Sequence, residues 1–136
     1  RDTDRSRGLG DVYKRQVMTQ LGVSADSIVM NVGSAAVGYG YEYVVSTLDR
    51  IKAAALSQDD KMLQMPIITP IASETWNVKE AMATEEESPE WGNQEVRGVS
   101  MEIQTAAASL ASGSDAVILK HPQSVATISK MIQELM

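Results

Sequence analysis

The sequence contains no cysteine in 136 residues. Disulfides, thiol nucleophiles and thiolate metal sites are therefore excluded from this stretch, as is an iron-sulfur cluster, which Cys thiolates hold. Phenylalanine is also absent, which makes the two tryptophans, Trp76 and Trp91, conspicuous. The single histidine, His121, rules out a multi-histidine metal site and would have to serve any Ser-His-Asp triad. No apolar run approaches the roughly 20 residues of a membrane helix, and the basic start is not followed by a secretory hydrophobic stretch. The expectation is a soluble, cytoplasmic protein with no membrane partner.

What is present suffices for one modest core, since 43% of the residues are hydrophobic. The net charge of −6 is uneven. Residues 1–16 carry five Lys or Arg against three Asp, which leaves seven against fifteen in residues 17–136. That acidic body would repel a phosphate backbone, so nucleic acid is not an expected partner.

The opening stretch has no apolar periodicity, and residues 1–16 are expected to be disordered. Their ending, DVYKRQ, resembles translated adaptor sequence found at the ends of reading frames assembled from environmental DNA; a natural flexible tail is the alternative. Residues 17–136 read as one domain.

From there strand and helix alternate three times. Residues 27–32, 66–69 and 115–119 are short apolar runs of the kind that parallel strands covered on both faces show. Tyr41, Val44, Val45, Leu48, Ile51 and Ala55 recur at helical spacing over 41–57. Ser73 offers a cap for a helix towards residue 84, and Glu85, Glu86 and Glu87 with Pro89 break the pattern. A long helix over 94–112 is expected to bury Val96, Val99, Ile103, Ala106, Ala107 and Leu110, with Gly113 ending it. Pro122 suits the first turn of a last helix in which Val125, Ile128, Ile132 and Leu135 share a face. This is an α/β pattern with a parallel sheet, and both a doubly wound sheet and a (β/α)8 barrel fit it. Three units are too few for a whole barrel, so apolar faces that further units would cover are expected.

Several residues invite a functional reading. Gly33, Gly38 and Gly40 follow a strand and open a helix, a place where backbone amides hold anions, although the spacing is that of neither a P-loop nor a dinucleotide fingerprint. His121 follows a strand, where barrel enzymes keep functional groups, and helix capping or simply facing solvent is the plainer role. The three consecutive glutamates point in different directions and do not converge on a cation. Trp76 and Trp91 flank this acidic stretch as packing residues; one left exposed would mark a partner surface.

Longer motifs carry a family resemblance: MPII at 65–68, ETW at 74–76, KEA at 79–81, EEESPEWG at 85–92, RG at 97–98 and SDAVILKHP at 114–122. GYG at 38–40, EY at 42–43 and RIKAAAL at 50–56 extend it over nearly all of 26–136. In order and spacing the chain resembles the C-terminal part of the small (delta) subunit of the corrinoid iron-sulfur protein of acetyl-CoA synthesis and cleavage. The resemblance implies the C-terminal part of a TIM (β/α)8 barrel, about three βα units. It further implies a larger partner subunit that holds the cobalamin and a 4Fe-4S cluster, and the transfer of a methyl group from a methyl-pterin, through its methyltransferase, to acetyl-CoA synthase. Asn31, Gly33, Ser34, Thr69, Lys120 and His121 would line one wall of the corrinoid site at the strand ends. No residue is assigned a catalytic or metal-ligating role. The chain departs from the family pattern where Asn31, Val32, Gly33 and Ser34 replace Asp-Pro-Thr-Thr, and where Met101 replaces an aromatic residue before Glu102. The competing enzyme reading is a pterin-dependent corrinoid methyltransferase in which Asn31 would hold the pterin; a small open-sheet binding domain is a third.

Overall fold

The computed structural model describes residues 16–33 and 40–136, apart from the side chain of Met62. Residues 1–15 and most of the glycine-bearing loop lie outside the described residues, so the expectation of disorder over 1–16 falls outside them except at Gln16, which instead opens a helical turn over 16–20. Three strands follow in chain order: β1 (Met30–Asn31), β2 (Ile67–Pro70) and β3 (Ala116–Ile118). They form a parallel sheet ordered β1-β2-β3, in which Met30 pairs with Ile67 and Thr69 with Val117. Helix α1 (Tyr41–Ser57) connects β1 to β2. Two short helices, α2 (Ala72–Trp76) and α3 (Lys79–Met82), and the long α4 (Gln94–Ala111) connect β2 to β3, and α5 (Pro122–Leu135) follows.

Pairing across the sheet fixes which side chains share a face. Val44, Leu48 and Ile51 of α1 pack on Ile28, Met30, Val32 and Ile67. Ile103, Ala106 and Leu110 of α4 meet Val117 and Leu119 together with Ile128 of α5. Because Met30 pairs with Ile67, and Thr69 of the same strand face pairs with Val117, both crossover helices cover one face. A barrel and one half of a doubly wound sheet share this arrangement.

Among the described residues the other face is open, which corrects the expectation of strands covered on both sides. Asn31, Ala116 and Ile118 are exposed there, and Ile68 and Pro70 are half-buried. The last helix buries Ile128 but leaves Val125, Ile132 and Leu135 exposed, so its expected apolar stripe is only partly covered.

The expected helix from Ser73 to residue 84 is broken in two. Its first half begins at Ile71 with no side-chain cap, and Ser73 lies inside it. Val96, placed in the core by its spacing, is 63% exposed because the buried face of α4 runs through Gly98, Glu102, Thr105 and Ser109 instead. Gly98, in contrast, is buried for a specific reason: a Cβ there would overlap the indole of Trp76, with Cη2 at 2.6 Å. At the N-terminal edge of the sheet, Asp115 accepts a bond from the Ile67 N–H at 2.9 Å and one from Lys52 Nζ at 3.2 Å, which fixes the register of β2 against β3.

Gly98→Ala should therefore destabilise the protein by about 1–2 kcal/mol, because overpacking against the indole outweighs the gain in helix propensity of up to about 1 kcal/mol. Denaturant unfolding with tryptophan fluorescence checks this: the native emission should shift, and an unchanged or raised midpoint would contradict it.

Candidate functional site

The C-terminal ends of parallel strands and the loops after them are where α/β proteins place functional groups. Five of the six residues expected there lie within the described residues, and Ser34 falls outside them. At the end of β1 the Asn31 carboxamide oxygen accepts the Gly33 N–H at 2.9 Å, a local turn that Gly33 serves with φ +76°. Thr69 is fully buried, its hydroxyl 2.8 Å from that of Ser114. It sews β2 to the start of β3 on the helix-covered side and does not face the strand ends. Lys120 and His121 form the turn from β3 into α5. They lie together, two strands across the sheet from Asn31, which is level with Ala116.

What holds this turn is Glu102, which the sequence reading did not single out. It is fully buried in the middle of α4. Its carboxylate accepts the Lys120 N–H at 2.6 Å and the His121 N–H at 3.1 Å. An uncompensated carboxylate in such a place would cost several kcal/mol; here two amides and the positive end of the α5 dipole face it. The signal was available, because Glu102 stands three residues after Val99 and four before Ala106 on the buried stripe of α4.

His121 caps α5, as the plainer reading had it: its Nδ1 accepts the Gln123 N–H at 3.2 Å. Its Nε2 meets Glu95 Oε1 at 3.1 Å. The ring stacks on Trp76, with centroids 5.9 Å apart and planes 25° from parallel, and the Lys120 ammonium lies 5.4 Å from the centre of the same indole. Gly98 makes room for that indole, so α2, α4 and the β3–α5 turn meet at one point. Among the described residues no group of three or more His, Cys, Asp or Glu is placed to hold a metal.

The acidic stretch Glu85, Glu86 and Glu87 is exposed to solvent and tied locally. Glu87 Oε2 accepts the N–H of Thr84 at 3.0 Å and its hydroxyl at 3.2 Å, and these bonds hold the Glu87 carboxyl below its ordinary range, the backbone bond most. A depressed folded-state pKa means that this contribution is present above the unfolded value and is lost as pH falls through the folded one. Glu85 Oε1 accepts from Asn93 Nδ2 at 2.6 Å and from the Gln94 N–H at 3.3 Å.

A family description, the CO dehydrogenase/acetyl-CoA synthase delta subunit, matches residues 10–132. The chain belongs to this delta-subunit family. Relatives agree: it is 35% identical over 126 residues to a Methanosarcina acetivorans protein named acetyl-CoA decarbonylase/synthase complex subunit delta 2. The delta subunit of Archaeoglobus fulgidus is 32% identical over 124 residues and that of Methanopyrus kandleri 35% over 112. The alignments take in 89%, 89% and 82% of this chain, but 28%, 27% and 27% of the relatives. The chain thus spans little more than a quarter of a delta subunit.

In the full-length delta protein, Glu102→Gln should cost about 1–3 kcal/mol, because one of the two amides loses its acceptor and faces an N–H donor instead. Glu95→Gln, at an exposed position, should stay within roughly 0.5 kcal/mol. Chemical unfolding of both variants checks this, and equal stability of the two would contradict the role given to Glu102.

Proposed function

We propose that this chain is part of the barrel subunit of a corrinoid iron-sulfur protein, which carries a methyl group from a methyl-pterin to acetyl-CoA synthase in the cytoplasm. Membership of the delta-subunit family carries this reading. About three βα units of a (β/α)8 barrel are present, and the strand order and one-sided helix cover support that architecture. The exposed face bearing Asn31, Ile68 and Ala116 would line the barrel interior. The larger subunit, the methyl-pterin methyltransferase and the acetyl-CoA synthase are the proposed partners in the complex.

The corrinoid and the 4Fe-4S cluster belong, on this proposal, to the larger subunit. The residues of this chain do not fit the holding of a corrinoid. Both ring nitrogens of His121 are engaged, by Gln123 and by Glu95, so ligating cobalt would require breaking the cap or the contact with Glu95. The Asn31 carbonyl is turned onto Gly33, and Thr69 is buried against Ser114. The strand-end groups offer one wall, and ordinary pockets enclose most of their ligand. What the chain itself supplies is a fixed turn: Glu102 and Trp76 hold Lys120 and His121 rigidly at the strand ends, a surface suited to covering a cofactor bound elsewhere.

Cobalamin titrated into the full-length delta protein alone should give no saturable absorbance change at micromolar protein, and should give one once the large subunit is added. Tight stoichiometric binding by the lone protein would contradict the assignment, as would unaided methyl transfer from methyltetrahydrofolate to free cobalamin.

A further inference from the structure

His121 is the only imidazole of the chain, and the hydrogen bonds around it fix where its proton sits. The Gln123 N–H, 3.2 Å from Nδ1, can only donate, so Nδ1 must be bare to accept it. The proton of the neutral ring then lies on Nε2, where Glu95 Oε1 accepts it at 3.1 Å. The ring makes both bonds while stacked on Trp76. Its side chain is 23% exposed, so water can bring it a second proton.

That second proton has only Nδ1 to go to. There it would meet the Gln123 N–H donor against donor, and the cap would be lost. The charged groups facing the ring do not pull one way. Glu95 and Glu102 of α4, on the Nε2 and on the His121 N–H, favour the cation. Lys120 of the same turn, its ammonium over the Trp76 ring, opposes it, as does the positive end of the α5 dipole. Trp76 is the uncharged contribution of α2, and the first turn of α5 holds no acid. The Glu95 side chain is 71% exposed, so its hold on a cation is screened by water and salt. A stronger bond at Nε2 would in any case not restore the acceptor that Gln123 loses.

We propose that the cap of α5 is a proton-sensitive latch, closed while His121 is neutral and opened when Nδ1 takes a proton. Glu102 keeps both of its amides in either state, so the backbone of the turn stays and only the ring releases α5. Opening places a second positive charge beside Lys120 at the strand ends. The latch stands whether or not that surface covers a corrinoid.

Amide exchange of the full-length delta protein, read as protection at about pH 8 and about pH 5 together with nitrogen NMR of the His121 ring, tests this across the range in which histidine ordinarily changes charge. At the upper pH the ring should show a bare Nδ1 and a protonated Nε2, with the Gln123 amide protected. At the lower pH both nitrogens should carry protons and protection of Gln123 should fall roughly fivefold or more, the size of a lost cap, while the Lys120 and His121 amides keep theirs. His121→Asn, whose side chain caps a helix without titrating, should protect Gln123 equally at both. Glu95→Gln leaves Nδ1 untouched and should retain the loss at the lower pH. A proton on Nδ1 at the upper pH overturns the latch, as does a ring that stays neutral throughout or Gln123 protection that survives protonation of the ring. The same loss in His121→Asn, or none in Glu95→Gln, would overturn it as well.

Discussion

The two backbone amides that Glu102 accepts decide where the C-terminal edge of this sheet points. A carboxylate with no exposure is tolerated only where hydrogen bonds replace its hydration. Lys120 and His121 supply those bonds, and in doing so they stop β3 and aim α5. The cost of leaving Glu102 unpaired keeps the turn closed, and the turn in turn sets the plane of the His121 ring on Trp76. A hydrophobic residue of the same size in place of Glu102 would fill the space but leave the turn free to open.

Helix α4 is the member on which these contacts converge. Its inner stripe carries Val99, Glu102 and Ala106, its Gly98 receives Trp76, and its first turn holds the acidic excursion through Asn93, Gln94 and Arg97. The strand-end turn and this acidic excursion therefore depend on one rigid helix. A piece that covers a reactive cofactor on a partner must hold its shape before the partner arrives, because each side chain ordered on binding would cost about 0.5–1.5 kcal/mol.

The sequence made the regular parts legible. The 41–57 helix was read with the bounds that the structure gives, because Val44, Leu48, Ile51 and Ala55 repeat at helical spacing and all four are buried. The capping role of His121 and Pro122 was legible for the same local reason. The helix from Ser73 was misread twice: it breaks at Val78, whose backbone is extended at ψ 153°, and its second half ends where Gln94 and Arg97 take the carbonyls of residues 80–83, thirteen to seventeen residues away in three of the four bonds and twelve in the fourth. No local periodicity records that. Thr69 looked like a strand-end polar group, but its partner Ser114 lies 45 residues on. Glu102 was visible as a charge on an apolar stripe, and its purpose only once the β3–α5 turn was placed over it.

Amide hydrogen exchange at Lys120 and His121 in the full-length delta protein tests this account most directly. If the buried Glu102 carboxylate holds both N–H groups, they should exchange as slowly as the Val125 amide inside α5, which bonds to the His121 carbonyl at 3.1 Å. Exchange at both amides as fast as in an open loop, with Val125 still protected, would contradict it.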